Sequence, residues 1–198
     1  MATDAPHVPP RQSSRGPLPL MALIAILVLF VALQPVLTNA LRNWTAQPVP
    51  EATIPPRPLP RLQLVGPDGA AASLDAYSGR PFVLNVWATW CPPCREELPA
   101  LDKMAEHLKG GTDVAVLALS VDTVSAAQVQ AFLKARGIDE LVLFRGEPEA
   151  VLQALRVPGL PTTLLIDREG REVGRLVGAT AWDSESVMTA VRQLLLNR

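Results

Sequence analysis

The sequence predicts an α/β domain, a mixed sheet covered by helices on both faces, preceded by one apolar helix. Three observations carry this. Beyond residue 61, β-forming runs alternate with helical apolar periodicities, which implies parallel pairing through right-handed crossovers. Further on, two strand-like runs flank a tight turn and add an antiparallel hairpin. Upstream, the stretch from Leu18 to Leu33, LPLMALIAILVLFVAL, carries no charge at all.

That block accounts for part of the 48% apolar content. With Gln34 to Thr38 it reaches 21 residues, close to the ~20 that a bilayer-spanning helix needs. Arg11 and Arg15 precede it, and positive charge before a span favours a cytoplasmic N-terminus. The expected layout is a cytoplasmic tail at 1–17, a transmembrane signal-anchor helix at 18–38, and a periplasmic or extracytoplasmic remainder. A cleaved signal peptide is the competing reading, because Thr38-Asn39-Ala40 offers small residues for cleavage. The apolar run exceeds the ~7 to 15 residues of a signal h-region, which favours the uncleaved anchor. Residues 39–60 read as a proline-rich linker: from Trp44 to Pro60 there are six prolines in seventeen positions and no periodicity. Such chain extends ~3.1 Å per residue and so spans up to ~50 Å.

Residues 61–198 suit one compact domain. Lys plus Arg number 14 there against 17 Asp plus Glu, so there is no basic footprint for nucleic acid. Arg61 to Leu74 reads as an N-terminal strand extension, two short strands around a Pro67-Asp68-Gly69 turn. Phe82 to Trp87 (FVLNVW) is an apolar, β-rich run expected for a central strand buried on both faces. Helical spacing of Leu98, Leu101, Ala105 and Leu108 follows from Pro92, with Pro99 inside and Gly110-Gly111 as the stop. Next come a strand at Val114–Val121, a helix at Ser125–Arg136, a short strand at Leu141–Phe144 and a helical turn at Glu149–Leu155. Strands at Thr162–Ile166 and Glu172–Val177 form the hairpin around Asp167-Arg168-Glu169-Gly170, and an amphipathic helix at Ser184–Leu196 closes the chain.

Cys91 and Cys94, the chain's two cysteines, sit in WATWCPPCREELP where the central strand meets a helix. Three readings of the pair compete. A structural disulfide across two residues closes so small a loop that it adds little stability. A zinc site lacks its other half, since His7 lies beyond the apolar block and His107 alone cannot complete four ligands. His107 reads as a solvent-facing helix residue. Copper(I) needs fewer ligands, and the two thiolates with Met104 offer them. The third reading is a couple cycling between dithiol and disulfide. At a helix N-terminus, free N–H groups and the dipole stabilise a thiolate on Cys91, below the ~8.5 of free cysteine, making it the nucleophile. Cys94, one turn further in, is placed to resolve the mixed disulfide. Pro92 and Pro93 restrict φ and donate no hydrogen bond, so they tune the balance of the two forms.

WCPPC after a buried strand, Pro99 five positions past the second cysteine, and Gly159-Leu160-Pro161-Thr162 before the next strand resemble the thioredoxin fold. More narrowly, NVWATWCPPCREELPAL, the Ser120-Val121-Asp122 triplet and the preceding anchor resemble the membrane-anchored extracytoplasmic TlpA/ResA/DsbE group, over roughly residues 61 to 198. The resemblance implies that Pro161 is a cis-proline facing the cysteines, presenting the Leu160 backbone for strand-like pairing with substrate. It also implies a functional acid at Glu97, one turn past Cys94, whose burial would raise its pKa and let it relay the Cys94 proton. Glu96 points elsewhere and reads as solvated. General thioredoxins place a buried acid where Asn85 stands, and asparagine cannot take a proton. Trp87 reads as packing, while Trp90 reads as lining the exposed side of Cys91 on a peptide-receiving surface.

The expectation is a thiol-disulfide oxidoreductase that reduces particular protein disulfides outside the cytoplasmic membrane. The resemblance implies substrates such as the haem-binding cysteines of apocytochromes c or copper-site cysteines of oxidases, in cytochrome c-type biogenesis or oxidase assembly, with re-reduction by a membrane thiol-disulfide transporter. It implies no organic cofactor and no metal, because the electrons reside on Cys91 and Cys94. Two alternatives are a copper(I)-binding chaperone module and a thiol peroxidase; the latter usually places Thr or Ser where Ala88 stands.

Overall fold

A computed structural model describes residues 20–45 and 48–196, with side chains in the first helix described from 20 to 35. The chain divides into two units, Met1–Ala46 and Gln47–Arg198.

In the first unit, α1 covers Leu20–Thr45 and contains Pro35. Its described large apolar side chains, among them Leu23, Ile26, Leu29 and Phe30, are exposed. The transmembrane expectation at 18–38 gains no support here: among the described residues no helix is long and apolar enough to cross a membrane. Residues 1–17, positions 18 and 19, and the side chains of 36–38 lie outside the described set.

The second unit is built on β4 (Phe82–Trp87), whose six residues are all buried. A strand covered on both faces must be apolar throughout, which is why FVLNVW lacks alternation. Parallel to β4 runs β5 (Ala115–Ser120), and parallel to that β6 (Val142–Gly146). On the other side β7 (Thr162–Ile166) pairs antiparallel, followed by β8 (Arg171–Val177). The sheet extends beyond β6 through β2 (Leu64–Val65) and β3 (Ala71–Ala72), both antiparallel. The helices are α2 (Pro92–Lys109), α3 (Ala126–Lys134), α4 (Pro148–Ala154) and α5 (Glu185–Leu196). α2 packs on β5, α3 on β6, and α5 on β7 and β8. Every residue of β4, β5 and β7 is buried, so both faces are covered.

Local chemistry explains the boundaries. Ser125 and Gln128 form a reciprocal capping box at the start of α3. Gly110 caps α2. Asp167 accepts from the Glu169 and Arg171 N–H groups, and Gly170 takes φ 71° in the β7–β8 turn. One element departs from the sequence expectation. Within the proline-rich segment, Glu51–Pro58 is not a free spacer but β1, paired antiparallel with β8 at the sheet edge. The order is β1-β8-β7-β4-β5-β6-β2-β3. Proline is tolerated on an edge strand because a missing N–H there leaves no ladder partner unmet. Side chains also hold β1: Thr53 and Arg57 donate to Glu172 Oε1 at 3.1 and 2.7 Å, and Arg175 donates to both oxygens of the same carboxylate. Burial pushes the Glu172 carboxyl up, but the hydrogen bonds of Arg175, Arg57 and Thr53 and the charge of Arg175 outweigh it and hold the group below its usual range. A 3-10 turn at Leu74–Tyr77, which the sequence pattern does not mark, lies between β3 and β4.

Candidate active site

β4 ends at Trp87, and three residues of loop bring the chain to Cys91, the N-cap of α2. Helix starts leave N–H groups without intrahelical partners. Here Pro92 and Pro93 occupy the first two helical positions and have none to offer. The next N–H, that of Cys94, donates to Cys91 Sγ at 3.3 Å, and the Arg95 N–H begins the helical ladder on the Cys91 carbonyl. The one unpaired donor of the first turn is therefore aimed at the sulfur. Cys91 and Cys94 are joined in a disulfide, with Cα atoms 5.3 Å apart. Cys94 is fully buried and Cys91 is 4% exposed, so Cys91 is the more accessible sulfur. Trp90 beside it is 65% exposed, whereas Trp87 is fully buried, its ring 5.9 Å from that of Phe132.

One turn along α2 from Cys94, Glu97 is buried. Burial pushes its pKa up to about 7, opposed by hydrogen bonds from Trp182, Asn85 and Thr180. Asn85 Nδ2 donates to Oε1 at 2.8 Å, and both the Thr180 N–H and Trp182 Nε1 donate to Oε2, at 3.2 and 2.9 Å. These partners are neutral, so no counter-ion cancels the cost of desolvating the carboxylate. A group with such a pKa takes up or releases a proton near neutrality. A recess of about 340 Å³, lined by Glu96, Glu97, Ala100, Ala179, Thr180 and Ala181, opens beside it. Asn85, in the middle of β4, also donates to Thr163 Oγ1 at 2.9 Å and so ties the acid to β7.

The β4–β7 register sets Thr162 opposite Val86, which places Pro161 at the end of β4 that leads to the cysteines. The Leu160–Pro161 bond is cis. Leu160 is half-buried and the adjacent Gly159 exposed. The triplet Ser120-Val121-Asp122 fixes the loop in front of Cys91: buried Asp122 accepts from the Thr89 N–H, the Thr89 hydroxyl at 2.6 Å and the Ser120 hydroxyl at 2.7 Å. The sequence singles out Cys91, Cys94, Glu97, Pro161, Trp90, Leu160, Pro92 and Pro93 but not Thr89, Thr163, Thr180 and Trp182, which the structure places around Asp122, Asn85 and Glu97. Thr180 and Trp182 lie about ninety residues from the cysteines in an irregular connection, where no periodicity marks them. Among the described residues no group of three His, Cys, Asp or Glu could hold a metal ion. Met104, considered as a copper ligand, is fully buried, and His107 is exposed with Nδ1 2.8 Å from the Lys103 carbonyl. Cysteines at a helix start beside a buried neutral-pKa acid are equipped for thiol–disulfide exchange.

Comparison with known proteins agrees with this geometry. The family model described as Redoxin matches residues 45–191, well over half of the chain. The chain belongs to the Redoxin family. Among curated proteins, "Thiol-disulfide oxidoreductase ResA" of Bacillus subtilis (strain 168) is 34% identical over 119 residues, 60% of this chain and 65% of that protein. "Thioredoxin-like protein YneN" of the same organism is 30% identical over 111 residues, 56% of this chain and 64% of that one. The match thus spans slightly less than two thirds of either relative. Among solved structures, the exposed lipoprotein thioredoxin of Streptococcus pneumoniae strain TIGR4 superposes with a TM-score of 0.58 at 27% identity, covering 68% of this chain and all of that one. The Redoxin-family chain therefore has a thioredoxin-like α/β fold, and the two cysteines of its CxxC motif are joined in the Cys91–Cys94 disulfide.

Proposed function

We propose that this protein is a thiol-disulfide oxidoreductase, held at the cytoplasmic membrane by its N-terminal apolar segment and reducing particular protein disulfides on the outer side. The observation that carries the chemistry is the Cys91–Cys94 bond across the first turn of α2 with buried Glu97 one turn further on. In the reduced protein the Cys91 thiolate attacks a substrate disulfide. One substrate sulfur leaves as a thiolate and a Cys91–substrate mixed disulfide forms. Glu97 takes the Cys94 proton, and the Cys94 thiolate attacks Cys91 Sγ. This restores the internal disulfide and releases the second substrate sulfur, which is protonated in turn. Two electrons pass to the substrate. Trp90 and the Leu160 backbone receive the substrate segment, Pro161 orients that backbone, and Pro92 and Pro93 bias the dithiol–disulfide balance.

The tether is supported by the uncharged block Leu18–Leu33 and by the exposed apolar side chains of α1. With the N-terminal tail inside, the domain works in the periplasmic or extracytoplasmic space. Its substrates, by resemblance, are cysteine pairs awaiting haem or copper in apocytochromes c or oxidase copper sites, and a membrane thiol-disulfide transporter restores the dithiol. The test is trapping. Cys94→Ser should accumulate a thiol-cleavable adduct with a client protein, and Cys91→Ser should form none and reduce nothing. Failure of both variants to trap would contradict the order of attack.

A further inference from the structure

Thr180 holds Glu97 and is itself held from a distant part of the chain. Its main-chain N–H donates to Glu97 Oε2, while its hydroxyl donates to the carbonyl of Pro48 at 2.7 Å, 132 residues away in sequence. Sheet register explains the meeting. β1 runs antiparallel to β8 with Glu51 opposite Arg175. Extended three residues upstream, that register brings Pro48 level with Gly178, just before Thr180. The Trp182 N–H closes a turn on the Thr180 carbonyl at 3.1 Å, so the two donors to Oε2 are carried on one short unit. Trp182 is fully buried, and its indole cannot swing away without vacating the core.

We propose that Thr180 and Trp182 are positioning residues for Glu97, and that the segment entering β1, through the Pro48 carbonyl, completes the cradle of the active-site acid. Pro48, just ahead of β1, is then part of the site. The functional consequence rests on reading Glu97 as the proton relay; the positioning does not. Asn85 from β4, backed by Thr163 from β7, faces Oε1, and Thr180 and Trp182 face Oε2. On α2 itself, Cys94 precedes Glu97 by one turn and Glu96 lines the same recess. The donors are neutral, so removing one weakens the carboxylate relative to the acid and moves its titration upward.

The test follows the Glu97 carboxyl by carbon-13 NMR in the full-length oxidised protein. Trp182→Phe, which deletes the indole N–H, should raise the titration midpoint by about 1 pH unit. Thr180→Val should raise it by about half a pH unit, and Thr180→Ser, which keeps the hydroxyl, should match the unsubstituted protein. Thr180→Ala reads the same loss if the extra methyl of valine disturbs folding. Unchanged midpoints in Trp182→Phe, or a Thr180→Ser shift equal to that of Thr180→Val or Thr180→Ala, would overturn the proposal. Turnover plays no part in this readout. Should Glu97→Gln leave the pH profile of disulfide reduction unaltered, the relay would fail while these titrations still decided the positioning.

Discussion

Glu97 combines deep burial with neutral donors, and that combination couples its protonation to stability. Its folded pKa, about 7, lies above the ordinary value of 4.5. The proton-bound form is favoured by folding, so the contribution is complete below about pH 4.5 and is lost as pH rises through about 7. Between pH 4.5 and 8 the oxidised protein should lose roughly 3 kcal/mol that Glu97→Gln does not lose. Urea denaturation with the disulfide intact measures the difference, and parallel pH curves would remove the buried carboxyl from the account. Glu96→Gln should track the unsubstituted protein. At this scale the spacing of the two cysteines marked Cys91 and Cys94, while Glu97 was marked by the family resemblance, its one-turn spacing alone being equally that of a solvated helix acid. The sequence was silent on Trp182, because only tertiary folding brings that indole to Glu97.

At the scale of elements, two devices shape the site. The prolines of α2 strip its N-terminus to a single free donor, which then serves Cys91 Sγ. β1 and β8 are locked through Glu172, whose side chain is 6% exposed. Glu172→Ala would leave Arg57 and Arg175 without their carboxylate. We expect a loss of about 2 kcal/mol, discounted for the partial exposure of Arg57. Because the folded pKa of Glu172 lies below its ordinary value, its contribution is present above that value and vanishes as pH falls through the folded one. Chemical denaturation at pH 7 and pH 3 checks both statements, and an undiminished midpoint for Glu172→Ala at pH 7 would mean that β1 is held by something else. The strands β4, β5 and β7 were legible because buried strands are apolar runs punctuated by turn residues, and β8 because the Asp167-Arg168-Glu169-Gly170 turn marks a hairpin. β1 was not: Pro55, Pro56 and Pro58 erase the alternation of a half-buried strand, and an edge position is a property of the sheet, invisible in the segment alone. The Ser120-Val121-Asp122 triplet was recognisable as a motif, but its clamp on Thr89 appears only when β5 lies beside β4.

On the scale of the whole molecule, an apolar N-terminal segment precedes a Redoxin-family domain in which Pro48, just ahead of the first strand, reaches the cradle of Glu97 through Thr180. The tether makes a direct prediction. The mature full-length protein should sediment with membranes and retain residues 1–40, whereas N-terminal sequencing that begins at Leu41 would show the segment to be cleaved. The central claim, however, concerns one sulfur. Rapid alkylation of the reduced protein by iodoacetamide across pH measures it most directly. The account predicts a reactive thiol titrating well below the ~8.5 of free cysteine, lost in Cys91→Ser and retained in Cys94→Ser. A Cys91 thiol that titrates at or above that value would contradict it.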